Sequence, residues 1–316
     1  MKKFLAIILV VILALTAVAC SGGAKGGKLT FTTGGEQGTY YGFGTVLAGK
    51  VSDKTKTTVT AITSGGSKAN IEAMSKNDAQ LGFVQSDVAA YAYQGTRLFE
   101  KADTSFSTVA ALYMEQVQIV TLNPDIKSVA DLKGKSVSIG AAGSGVYFNA
   151  VDVLGAYGID ADKDINPTYQ SFGDSVESLQ DGKIDAAFVV AGAPTTAVTS
   201  LSATKQVYLV SLDEEHINKL VADSPYYSKN VISKDVYNTP EDVTTVAVMA
   251  VVIARNDASE TDVYNFISTI FNNMDEIKAA HAKGNELDIN FAASYGSVPY
   301  HAGAVKYFKE KGINVK

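Results

Sequence analysis

The chain has 316 residues, with 27 Lys and Arg against 33 Asp and Glu, a formal charge of −6 and no basic cluster, which excludes a nucleic-acid-binding surface. Its single cysteine, Cys20, excludes any internal disulfide. About 290 residues follow it, enough for two lobes with a core each.

Residues 1–19 are expected to form a signal peptide. Lys2 and Lys3 make a basic start, Phe4 to Leu15 is an apolar run, and Ala17-Val18-Ala19 lead into Cys20. A membrane-spanning helix needs about 20 apolar residues, and this run is too short. Small residues directly before a cysteine are similar to a lipoprotein processing signal, so Cys20 is the expected lipidation site; ordinary cleavage without lipid is the plainer alternative. The mature chain is then expected to be extracytoplasmic and lipid-anchored to a membrane, with residues 20–28 as a flexible tether.

The body alternates strands and helices. "KLTFTTG" reads as a strand, and its loop "GGEQGT" opens a helix in which Phe43, Val46, Leu47 and Val51 recur at helical spacing. "TTVTAIT" is a second strand running through Gly65-Gly66-Ser67 into a helix, and "AQLGFVQ" a third, followed by a helix bearing Val88, Tyr91 and Ala92. "STVAALY" is a fourth. The pattern then restarts: "QVQIVTL" is a strand, "SVSIGAA" passes through Gly143-Ser144-Gly145 into a helix, and "DGKIDAAFVV" precedes a helix with Pro194 in its first turn. "QVYLVSL", a long strand over 244–254 and a helical tail from Ser259 complete the chain. This order predicts an α/β fold with largely parallel sheets.

A helix that starts after a glycine turn directs free N–H groups and the positive end of its dipole outward, where an anion can sit. Lys68 stands in the wrong place for a nucleotide-binding loop. Because the second half repeats the device, two facing jaws would gather four or five helix N-termini around one cleft, at the carboxyl ends of the strands. The candidate ligand-binding residues are Gly34, Gly38, Thr39, Tyr40, Gly66, Ser67, Gln85 and Ser86 from the first half, and Ser144, Gly145, Phe148, Asn149, Gly192 and Pro194 from the second. The plainer alternatives are local. Ser67 as a helix cap alone would contribute about 1 kcal/mol, Asp87 reads as an N-cap, Tyr41 as packing and Lys68 as a solvated side chain. Arg97 and Arg255 are the only arginines and lie outside the cleft loops, so backbone N–H groups and hydroxyls are left to hold an anion. No nucleophile elbow is present, and His216, His281 and His301 are too far apart in sequence to pair on a metal; neither a catalytic nor a metal site is expected.

Six stretches in order carry a resemblance: "TTGGEQGTYYGFGTVLA", "ITSGGSKANIEAM", "LGFVQSDVA", "DLKGKSVSIGAAGSGVYFNA", "AFVVAGAPTTAV" and "VPYHAGAVKYFKEKG". From about Leu29 to the end the chain resembles the TAXI group of substrate-binding proteins that serve TRAP transporters. The resemblance implies a two-lobed periplasmic binding protein fold, type II-like, with the ligand cleft between lobes. It implies a first lobe of 29–122 completed by 246–316, and a second lobe of 123–245. It further implies a small carboxylate or amino acid as ligand, of the glutamate or 2-oxoglutarate kind, a membrane permease as partner, no cofactor and a monomeric state. The chain departs from that pattern at Glu36-Gln37 in the first glycine loop, which makes Glu36 a candidate contact for a ligand's amine. A sensory binding protein, or an extracytoplasmic enzyme on the same fold, are the alternative readings.

Overall fold

A computed structural model describes residues 26–316; the expected signal peptide and Cys20 lie outside the described residues. The strands are β1 (Lys28–Thr32), β2 (Thr58–Ile62), β3 (Leu81–Gln85), β4 (Phe106–Thr121), β5 (Ser136–Ser138), β6 (Asn166–Thr168), β7 (Ala186–Ala191), β8 (Tyr208–Leu209), β9 (Ser228–Ile232) and β10 (Val243–Arg255). They form one sheet in the order β2-β1-β3-β10-β4-β7-β5-β6, with β8 added on β4 and β9 on β10.

The sheet is mixed rather than largely parallel. At its two ends β1 pairs parallel with β2 and β3, and β5 parallel with β6 and β7. In the middle β10 runs antiparallel to β3 and β4, and β4 antiparallel to β7. The cause is connectivity: β4 carries the chain from the first half to the second and β10 carries it back, so the two crossings run in opposite directions. A second departure concerns β4, which the sequence divides into "STVAALY" and "QVQIVTL". Met114 and Glu115 lie between the two stretches, yet they pair with Met249 and Val248 of β10, and the strand continues unbroken.

Helices cover both faces in each half. On α1 (Thr39–Lys54), Phe43, Leu47 and Val51 are fully buried at the spacing of one helical face, while Val46 is only partly buried. Their core also takes Phe31 of β1 and Phe266 of α8 (Glu260–Asn272), so the C-terminal helices return to the first half. Burial of a side chain such as Phe43 stabilises by about 1.5–3 kcal/mol. The second half has its own core, in which Val137 and Ile139 pack with Val117, Ile119 and Phe188. The remaining helices that frame the site are α2 (Ser67–Ser75), α3 (Ser86–Gln94), α4 (Val146–Ala156), α5 (Phe172–Gln180) and α6 (Thr196–Ser202). Pro194 is not in the first turn of α6. It lies ahead of the N-cap Thr195, after a cis peptide with Ala193.

Candidate functional site

The ends of β1 and β3, the middle of β4 and the starts of α1 to α5 enclose one cavity of about 160 Å³. That is well above the roughly 10–15 Å³ a single water needs and gives room for a small organic acid or amino acid. The first half contributes Gly34, Gly38, Thr39, Tyr40, Gly66, Ser67 and Gln85 as anticipated, and also Gly35, Ser64, Gly65 and Glu115. The second half contributes Ser144 and Gly145 as anticipated, and also Gln170, Ser171, Phe172, Val190 and Ala191.

The helix starts explain the character of this space. The N-caps of α1, α2, α3 and α4 are Gly38, Gly66, Gln85 and Gly145, and none of the four helices has a side-chain cap. The first N–H groups of a helix have no partner within it, so four positive helix ends converge on the cavity. At α5 the Ser171 hydroxyl accepts from the Asp174 N–H and fills that role itself. Ser67 does not cap its own helix. Its Oγ accepts from the Gln85 N–H at 3.1 Å, tying the start of α2 to the end of β3. Of the buried polar side-chain atoms without a partner among the described residues, two belong to the cavity wall: Oε1 of Gln85 and Oγ of Ser144, on residues 2% and 7% exposed.

The charged group of the cavity is one that the sequence did not single out. Glu115, in the middle of β4, is 2% exposed and accepts from the Tyr40 hydroxyl at 2.6 Å. Tyr40 in turn stacks on Phe83, with ring centroids 4.7 Å apart. Burial pushes the Glu115 carboxyl up to about 8, against the pull of the Tyr40 hydrogen bond; repulsion from Asp87 adds to the rise and Lys283 opposes it. The same burial, with Glu115 beside it, holds the Tyr40 hydroxyl well above the usual phenol range. Among the described residues no lysine, arginine or histidine lines this space.

The two halves touch directly around the cavity. The Ala69 N–H donates to the Gly143 carbonyl at 3.1 Å, and the Ala197 N–H donates to the Gln37 carbonyl at 3.1 Å. The Thr39 hydroxyl donates to the Gly192 carbonyl at 2.8 Å. Two glycines permit this approach. Gly66 has φ +103°, and a Cβ there would press on Ser144 across the gap. A Cβ on Gly145 would overlap Gln85 Oε1.

Six sequence candidates do not line the cavity. Glu36 is exposed in the loop before α1. Ser86 is committed elsewhere, its hydroxyl accepting from the Met249 N–H at 3.1 Å and its carbonyl from the Tyr295 hydroxyl at 2.7 Å. Phe148 packs against Tyr91 with centroids 5.7 Å apart. Asn149 donates to Asp87 Oδ2 at 3.0 Å and to the Tyr227 hydroxyl at 2.8 Å. Gly192 offers only its carbonyl to Thr39, and Pro194 lies beyond it in the loop. For three of them the reason is helical rotation. Phe148 and Asn149, at the third and fourth positions of α4, turn away from the start of their helix, and Ser86 turns back under β10. Asp87 is likewise not a cap. It is buried within α3 against Asn149, and burial raises its carboxyl to about 7. Lys68 pairs with Glu72, Arg97 with Asp152 and Arg255 with Asp257, all outside the cavity. Among the described residues no group of His, Cys, Asp and Glu is arranged to hold a metal ion, and no helix is long and apolar enough to cross a membrane.

Solved structures share this architecture. MatC from Rhodopseudomonas palustris with bound malate is similar at 14% identity and a TM-score of 0.57, over 83% of this chain and 90% of that one. An ancestral arginine-binding protein bound to arginine gives 16% and 0.52, over 82% and 98%. The alkanesulfonate-binding protein SsuA from Xanthomonas axonopodis pv. citri, bound to MOPS, gives 14% and 0.51, over 93% and 96%. At such identities the likeness is one of fold, the two-lobed fold of periplasmic solute-binding proteins with a cleft between lobes. The model of the NMT1-like family matches residues 31–312, and the chain belongs to that family.

Proposed function

We propose that the chain is an extracytoplasmic solute receptor of the TAXI type, delivering a small carboxylate or amino acid of the glutamate or 2-oxoglutarate class to a TRAP-type permease. The observation that carries this reading is the convergence of four uncapped helix starts, three from one half and one from the other, on a cavity of small-solute size with unpartnered polar atoms in its wall. Backbone N–H groups at Thr39, Tyr40, Ser67 and Gly145 hold a ligand carboxylate, with the Ser67 and Ser144 hydroxyls and the Gln85 amide completing its shell. In this reading 29–122 with 246–316 form one lobe and 123–245 the other, and β4 and β10 are the hinge about which they close. Lipid on Cys20 keeps the monomeric receptor at the membrane beside its permease.

The reading is tested by native mass spectrometry of the purified mature chain, followed by identification of whatever leaves it on unfolding. A single small organic acid or amino acid, retained under native conditions and restoring thermal stability when added back, is the expected result. Such a ligand at 100 times its Kd stabilises by about 2.7 kcal/mol. A chain that retains nothing, and that no organic acid or amino acid stabilises, would overturn the receptor reading.

A further inference from the structure

We infer that Glu115 selects the solute: its carboxylate takes a positively charged nitrogen of the ligand while the helix starts of both halves take the ligand's carboxylate. The cavity then favours an ammonium-bearing acid over the matching anion that lacks the nitrogen. This rests on the receptor reading above and narrows its ligand to a zwitterion.

Among the described residues lining the cavity, Glu115 is the one that carries an acidic side chain, and none carries a basic one. The remaining polar surface is donor-rich at the helix starts. A ligand carboxylate there leaves Glu115 facing it across a small space, and two carboxylates held close together repel unless one is neutralised. Geometry supplies the next step. The Tyr40 hydroxyl occupies Oε2 of Glu115, and Oε1 accepts no hydrogen bond among the described residues. An ammonium brings three donors and no acceptor, so a carboxylate with an open oxygen is a matching environment. The Tyr40 ring, held flat on Phe83, adds an aromatic edge to that end. Glu36, the acid anticipated from sequence for this role, is exposed at the rim.

Ionisation links the ligand to a proton. Facing Glu115 are Tyr40 from α1, Asp87 from α3, Tyr113 on its own strand and Lys283 in the turn Ala282–Glu286. Burial and Asp87 favour the neutral carboxyl; Tyr40 and Lys283 favour the ion. A ligand ammonium in contact restores the ion, so the Glu115 proton leaves as the ligand enters at neutral pH. A ligand without that nitrogen leaves the proton where it is, or adds to it.

The test is a thermal-shift panel on the full mature chain, stripped of bound solute, with every standard amino acid and the 2-oxo acid that matches each. Calorimetry of the best binder and its oxo partner follows, in two buffers of different ionisation enthalpy. The expected result is stabilisation by an amino acid over its 2-oxo acid and release of a proton at pH 7. In Glu115→Gln the amino acid should lose about 10- to 100-fold in affinity while its oxo partner loses little. If only 2-oxo or other amine-free acids bind, or if the affinity ratio is the same in Glu115→Gln, the inference fails and the receptor reading stands. If no compound binds, both fail. Should Glu115→Gln not fold, the wild-type panel decides, and a 2-oxo acid that binds as tightly as its amino acid overturns the inference.

Discussion

Glu115 and Asp87 are buried carboxyls whose folded pKa values, about 8 and about 7, lie above those of the unfolded chain, about 4. Between those limits the folded state binds more protons than the unfolded one, so stability falls as pH rises from about 4 to about 8. The stabilising protonated forms are fully present only at the low end of that window. Denaturant unfolding of the stripped chain at pH 5 and pH 8 should show the fall, and Glu115→Gln should flatten it; an equal slope in the variant would mean that Glu115 is ionised in the fold. The two serines separate by partner. Ser144 Oγ has none and Ser67 Oγ accepts from Gln85, so Ser67→Ala should cost about 1 kcal/mol of stability and Ser144→Ala almost none. In calorimetry both should weaken ligand binding by about 1–3 kcal/mol, and intact affinity would leave Ser67 only its link to β3. Glycine and serine turns were legible because turn chemistry is local. Glu115 was not, because a lone acid between two apolar runs reads as a break in the chain, and only the pairing of β4 with β10 buries it.

The helices show the same division between local and tertiary causes. Away from the cavity, α8 is capped by Ser259, and the helices Glu214–Asp223 and Ala302–Glu310 are capped by Asp213 and His301. Around the cavity α1 to α4 lack such caps, which is how a helix start stays open to a solute. The helix α4 allows a direct comparison of two glycines. At Gly145 a Cβ would overlap Gln85 Oε1 across the gap, whereas at Gly155 it would meet nothing within 4 Å. Gly145→Ala should therefore weaken ligand binding by forcing Gln85 aside, and Gly155→Ala should leave it unchanged while raising stability by about 0.5–1 kcal/mol. Chemical denaturation with parallel titrations checks both; equal affinities in the two variants would show that the halves do not need to approach as closely as they do here. Helix positions were readable from periodicity, but which turn of α4 faces the cavity depends on its rotation, and that misplaced Phe148 and Asn149.

At the scale of the molecule, a repeated strand–turn–helix order made the two facing jaws legible, while the antiparallel centre of the sheet was not, since it arises from where β4 and β10 cross. The lipid expectation belongs to this scale although it lies outside the described residues. A Cys20→Ala chain should lose its membrane attachment on fractionation, and one that still sediments with membranes would refute the anchor. Contacts between the halves, such as Ala69 with Gly143 and Thr39 with Gly192, are the contacts a closing clamp makes. They break if the halves part, while β4 and β10 hold the lobes together. Small-angle X-ray scattering of the stripped mature chain, before and after adding back its own solute, tests this most directly. A smaller radius of gyration with solute bound is the expected result. Saturable binding with an unchanged scattering curve would contradict it.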